Sequence, residues 1–223
     1  MSLPPEDRPI DSSRPNPQQQ AHLELTTQRP VVTYVLMGVT LLVFLVEQFA
    51  NTNPLRELLA PLLNQVLSPQ VEEVLRARGL FVGVAQLLQS PDWNLLLLGA
   101  KINPLIEIGQ VWRLFTPALL HSSFIQVGFN MFALYSFGAA LEPFYGRQRF
   151  LALYWLAVFG GNVLSFLFSN LVSNGAATGV FGLVAAQGVF LYQNRAIFGT
   201  RGRTNLIILM VVIGLNLLLG TLP

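Results

Sequence analysis

The chain has 223 residues, of which 52% are hydrophobic and only 11% charged, with a mean hydropathy of +0.54. From Leu114 to Pro223 just six side chains carry charge, Glu142, Arg147, Arg149, Arg195, Arg201 and Arg203, which is too little to clothe a water-soluble domain. Zero cysteines exclude a disulfide scaffold, a thiolate zinc site and a cysteine nucleophile. Two histidines, His22 and His121, make no histidine metal cluster, and no cofactor is expected. The net charge is +2, and the arginines sit at the ends of apolar segments. They speak for orientation in a bilayer and against nucleic acid as a partner.

Residues 1–29 hold five prolines, the run Gln18-Gln19-Gln20 and few large apolar groups. Such a segment buries too little surface to offset its ordering entropy, so it reads as a disordered tail in which His22 is inert. It has no apolar core of the kind a secretory signal needs. Residues 30–50 carry the first span. Val31 to Ala50 is apolar until Glu47 and, at about 1.5 Å per residue, long enough to cross the hydrocarbon. Pro30 starts it and Asn51-Thr52-Asn53-Pro54 stops it.

Residues 51–112 read as a long loop. Leu55, Leu58, Leu59, Leu62, Leu63, Val66 and Leu67 recur at three and four, interrupted by Pro61 and Pro69; this is the pattern of an amphipathic helix lying on the membrane surface. Trp93, Pro104 and Trp112-Arg113 close the loop with an aromatic-and-basic interface signature. Residues 113–223 hold four more apolar stretches, at 123–141, 150–169, 177–193 and 205–220. The fold class is therefore an all-α polytopic membrane bundle of five spans. Arg147 and Arg149 follow the second span, Arg195, Arg201 and Arg203 follow the fourth, and the 170–176 loop has no charge. By the positive-inside rule the N-terminus is cytoplasmic and the 51–112 loop external.

Polar residues within spans face partners or cavities. Gln126 and Asn130 are one turn apart and share a face, suited to interhelical hydrogen bonds. Glu142 lies near Arg147, where an interfacial ion pair is expected. On the fourth span Gly179, Gly182 and Ala186 share one face, a groove that admits another helix. Gly175 and Gly179 add a GxxxG pair.

Taken in order, these residues resemble the rhomboid family of intramembrane serine proteases. Trp112-Arg113 is similar to the family's WR. His121-Ser-Ser-Phe-Ile-Gln126-Val-Gly-Phe-Asn130 resembles its HxxxxHxxxN, and Glu142-Pro-Phe-Tyr-Gly146-Arg-Gln-Arg-Phe150 its ExxxGxxxF. Gly161-Asn162 with Ser165, then Gly175-Ala176-Ala177-Thr178-Gly179-Val180-Phe181-Gly182, follow at fitting distances; the likeness covers about Leu95 to Pro223.

The resemblance implies a serine at the head of the fourth span, a histidine base on a sixth span, and an oxyanion region built by a histidine and an asparagine of the second. A serine hydroxyl needs such a base within about 3 Å to act as a nucleophile. On that alignment Ala177 stands at the nucleophile position, Gln126 at the oxyanion histidine beside Asn130, and His121 at a structural histidine. The sequence stops at Gly220-Thr221-Leu222-Pro223, where the family leads into its sixth span. Thr178 serves as nucleophile only if the alignment slips by one, and Ser173 has no nameable partner.

Two functions follow. The first is a rhomboid-like protein of the bacterial inner membrane that is proteolytically inactive, holds or escorts transmembrane segments of clients, and self-associates or takes a partner helix at Gly179, Gly182 and Ala186. The alternative is an active intramembrane serine endopeptidase represented by a nucleophile-replaced or shortened form. A transporter or channel ranks below both, because the spans carry no charge at mid-depth.

Overall fold

The computed structural model describes residues 29–50, 57, 61, 68–77, 79, 81, 84–85, 93–170, 172–193 and 207. In chain order the elements are α1 (Val31–Ala50), α2 (Pro69–Ala77), α3 (Trp93–Leu98) and α4 (Asn103–Glu107). Two 3-10 turns follow, Val111–Leu114 and Thr116–Leu119, and then α5 (Phe124–Ala133). A π turn, Leu134–Gly138, carries α5 on into α6 (Ala139–Tyr145); α7 (Arg147–Phe168) and α8 (Ala177–Gln193) complete the described helices. Among the described residues three stretches are long and apolar enough to cross a membrane: Val31–Phe49, Phe124–Tyr145 and Arg147–Phe168. Ala177–Gln193 is a shorter apolar helix.

The first span turns its polar side chains inward. In α1 the buried stripe is Thr33, Leu36, Thr40, Phe44 and Glu47, while Val35, Leu41, Leu42, Leu45 and Phe49 are exposed. The second span leaves Phe124, Ile125, Phe129 and Phe132 71–72% exposed. Apolar outside and polar inside is the reverse of a soluble helix, and it is what lipid demands. The interior packs Leu36, Phe44, Met131, Leu134, Leu141, Phe150, Tyr154, Val158, Leu183 and Val184 into one cluster.

The second and third spans are separated at Gly146, whose φ of +76° ends α6 and lets α7 begin at once. Glu142 does not pair with Arg147 as the sequence suggested. Its carboxylate accepts Val32 N–H, Thr33 N–H and the Thr33 hydroxyl, each at 2.8 Å. The first N–H groups of a helix have no partner of their own, so this carboxylate caps α1 from another span, and a carboxylate also suits the positive end of the helix dipole. The π turn puts Gly138 against the Thr33 side chain, where a Cβ would lie 2.8 Å from Thr33 Oγ1, and near the Phe150 ring. Glu142, Gly146 and Phe150 thus make one joint.

The α7–α8 contact is the most extensive helix pairing. A Cβ on Gly182 would collide with the Ala157 Cβ, and one on Gly179 would lie 2.6 Å from the Tyr154 ring and 2.8 Å from Val158. The small-residue groove expected to receive a second copy or a partner helix is therefore filled by α7 of the same chain. The physical reason is the one that made it look like a docking site, namely that glycine lets backbones come close. The fifth apolar stretch, 205–220, and almost all of the amphipathic pattern at 55–67 lie outside the described residues.

Between the first two spans a small second cluster forms from Val71, Leu75, Val84, Leu96, Ile102 and Leu105. Arg113 anchors it. The guanidinium is fully buried and donates to Ala100 O, Leu96 O and Gln110 Oε1 at 3.0, 2.8 and 2.7 Å, and it lies over the Trp112 ring. Burial pushes its pKa down to about 10, so it stays charged at neutral pH.

Gly182→Ala should lower folded-state stability by about 1–3 kcal/mol, because the α7–α8 contact has no slack for a methyl. Gly160, with nothing within 4 Å of a built Cβ, should tolerate alanine without loss. Unfolding midpoints of the two variants in detergent check this.

Candidate active site

At one end of the bundle the residues before α5 and before α8 meet. The 172–176 segment cannot bond as a helix, so its backbone groups are satisfied from outside. Lys101 and Ser173 exchange backbone hydrogen bonds at 3.0 and 3.2 Å, and Gly175 N–H donates to Pro117 O at 2.7 Å. Ala176 N–H donates to His121 Nε2 at 3.3 Å. Asn174 Nδ2 donates to Ser122 Oγ at 2.7 Å. Glycine is favoured at 175 by its φ of +113°, and a Cβ there, 2.7 Å from Gln126 Nε2, would displace the Gln126 amide.

The same end is bolted to α7. The buried Lys101 ammonium donates to Ser169 O at 2.7 Å, and to Ser165 O and Ser165 Oγ at 3.1 Å. Asn103 Nδ2 reaches Phe166 O and Ser169 O. Cations and amide donors at a helix C-terminus meet carbonyls left without helical partners. Burial lowers the Lys101 pKa. Asn162 Nδ2 donates to Leu114 O at 2.9 Å and ties the Trp112-Arg113 turn to the same helix.

Gln126 and Asn130 share a face as expected, and both border Gly175. Gln126 Oε1 accepts Ser122 N–H at 2.8 Å and its Nε2 donates to Asn174 O at 3.2 Å. Asn130 Nδ2 donates to Gln126 O at 3.1 Å. The Gln126 amide is thus a clasp between the start of α5 and the loop before α8. Ser123 caps α5 by accepting Gln126 N–H.

Ala177 follows at once, exposed, in the first turn of α8. It offers a methyl group. Thr178 points the other way: a Cβ on Gly161 would lie 2.8 Å from the Thr178 Cβ and Cγ2, and Thr178 Oγ1 is buried with no hydrogen-bond partner among the described residues. Gly179 and Gly182 pack on α7, while Phe181 lies on the exposed face of α8. The structure therefore brings His121, Gln126, Asn130, Gly175 and Ala177 into one neighbourhood. Trp112 and Arg113 lie in the adjoining turn, and Glu142, Gly146 and Phe150 form the separate joint at α1.

The sequence reading passed over Glu47 and Lys101. Both carboxylate oxygens of Glu47 face His121 N–H, at 3.0 and 3.2 Å. The available signal was spacing, since Thr33, Thr40 and Glu47 recur every seven residues on α1.

An all-α bundle with lipid-facing spans and this polar end is an integral membrane protein. The Rhomboid domain profile matches residues 108–223, and the chain belongs to the rhomboid family. It is 40% identical over 119 residues to Rhomboid protease GluP of Bacillus subtilis, covering 53% of this chain and 24% of that protein. Rhomboid-like protease 1 of Toxoplasma gondii is 42% identical over 100 residues, 44% of this chain and 34% of the relative. RHOMBOID-like protein 1 of Arabidopsis thaliana is 36% identical over 123 residues, 55% and 31%. The matched stretches thus span a quarter to a third of these relatives' lengths. No solved structure matches the chain.

His121 carries a pH prediction. Its Nε2 accepts a hydrogen bond, so the ring is neutral with its proton on Nδ1. Burial holds its pKa below the ordinary 6.5, against a smaller upward pull from the Leu119 backbone. Between that depressed value and 6.5 the unfolded chain binds more protons than the folded one, so stability falls as pH drops through this window. His121→Gln should remove this contribution, so between pH 7.5 and 5 the unfolding midpoint of the unsubstituted chain should drop relative to that of the variant measured in parallel.

Proposed function

We propose that this rhomboid-family protein, as its sequence stands, does not cleave peptide bonds, and that its frame holds or escorts transmembrane helices of client proteins. The observation that carries this reading is Ala177. By the family resemblance it stands at the nucleophile position, and a methyl group neither attacks a carbonyl nor gives up a proton. Three further observations support it. The adjacent hydroxyl, Thr178, is turned into α7 against Gly161. The imidazole at this end, His121, already accepts the Ala176 N–H through Nε2. The residue at the oxyanion position, Gln126, uses its amide to clasp two loops. The joints that hold the spans together, at Glu142, Gly146, Arg113 and Gly182, are all built. The bias of arginines toward the loops after the second and fourth spans supports a cytoplasmic N-terminus, with the Ala177 end on the opposite side.

A second reading takes its support from the relatives, two of which carry the name protease. Under it, the family activity is intramembrane serine endopeptidase and this sequence is a form with its nucleophile replaced.

Purified protein incubated with a fluorogenic transmembrane substrate should show no turnover above buffer, and Ala177→Ser should not create any. Turnover by the unsubstituted chain would overturn the inactive reading. Turnover on serine alone would show that a base is already in place and favour the second. Client binding is checked by crosslinking the same substrate helix to the chain in proteoliposomes.

A further inference from the structure

Glu47 is the one carboxyl group of α1, in the last turn of an otherwise apolar span, and it is 1% exposed. Among the described residues it forms no ion pair. A carboxyl group in such a place is costly unless its oxygens are used, and methionine or leucine would fill the same volume more cheaply. Its use is visible in the chain between the second 3-10 turn and α5. Leu120 N–H closes the 3-10 turn on Pro117 O, but residues 121–123 belong to no helix, so their N–H groups have no ladder to join. Ser122 N–H goes to Gln126 Oε1, and His121 N–H goes to Glu47. His121 is itself only 1% exposed, so without Glu47 its N–H would be a buried orphan and the backbone would turn to find a partner.

The turn would not stay local. The His121 ring accepts the Ala176 N–H, and residue 177 is next. At the other side Asn94 Nδ2 donates to the Glu47 carbonyl at 3.0 Å, so the end of α1 is held against α3.

We propose that Glu47 is a positioning residue: from the first span it holds the His121 main chain, and through the His121 ring it fixes the Ala176 amide and the placement of the side chain at 177. The link depends on a hydrogen-bond acceptor at position 47 and is independent of whether position 177 carries chemistry. A failed proteolysis experiment therefore leaves it standing.

The chain has no cysteine, so Ala177→Cys introduces a single reporter thiol at an exposed position. The full chain carrying it, in detergent micelles, is labelled with a small methanethiosulfonate reagent, and the rate is divided by the thiolate fraction titrated for each variant. Glu47→Gln, whose amide oxygen still accepts His121 N–H, should label within about twofold of the parent, whereas Glu47→Met, which fills the space but accepts nothing, should label about fivefold faster. If the Met variant does not fold, Glu47→Asp, one methylene short of His121 N–H, replaces it with the same expectation. The amide resonance of Ala176 should keep its position in the Gln variant and move in the others. Equal rates in all variants would reduce Glu47 to a packing element and overturn the proposal. Equal acceleration by Gln and by Met would also overturn it, because the acceptor would then not be what matters.

Discussion

In a medium without water, a backbone or side-chain polar group that is not bonded inside the protein is not bonded at all. Helices meet this condition along their length and fail it at their ends. The architecture here is largely a set of answers to that failure. Glu142 caps the start of α1 from the second span, and Glu47 takes an orphan N–H beyond its other end. Lys101 and Asn103 cap the end of α7, and Arg113 collects one carbonyl from the end of α3 and one from the loop after it. Each cap comes from a residue distant in sequence, so capping and tertiary assembly are the same act.

The same constraint shapes the end that carries Ala177. The segment before α8 has no regular structure and is held by Lys101, Pro117, His121, Ser122 and Gln126. Gln126 deserves its place in that set for a chemical reason: an amide offers an acceptor and donors at once, and here it accepts from one loop and donates to the other.

Much of this was legible from composition and period. The membrane class followed from the scarcity of charge after Leu114. Helices stand at the apolar stretches 31–50, 123–141, 150–169 and 177–193 within a few residues, and among the described residues the first three are long enough to cross a membrane, because a continuous apolar run satisfies its backbone in lipid as a helix. The clustering of Gln126 and Asn130 followed from a one-turn spacing. The choice of partner is not legible in this way. Local spacing pairs Glu142 with Arg147, five residues away, whereas its partners are on α1, more than a hundred residues earlier. The small face of α8 invites another helix, and at Gly179 and Gly182 that helix is α7. Local spacing says which groups need a neighbour, not which neighbour arrives.

The sequence by itself determined the medium, the helical class, the sites where backbones can touch and the methyl group at position 177, because each depends on the identity of single residues or on their period along one helix. Only the tertiary structure decided which span caps which. It alone turned Thr178 inward against Gly161 and joined Glu47 through His121 to the Ala176 amide. Those contacts are set by how helices of comparable apolarity sort against one another, and hydrophobicity, being without direction, does not specify that order.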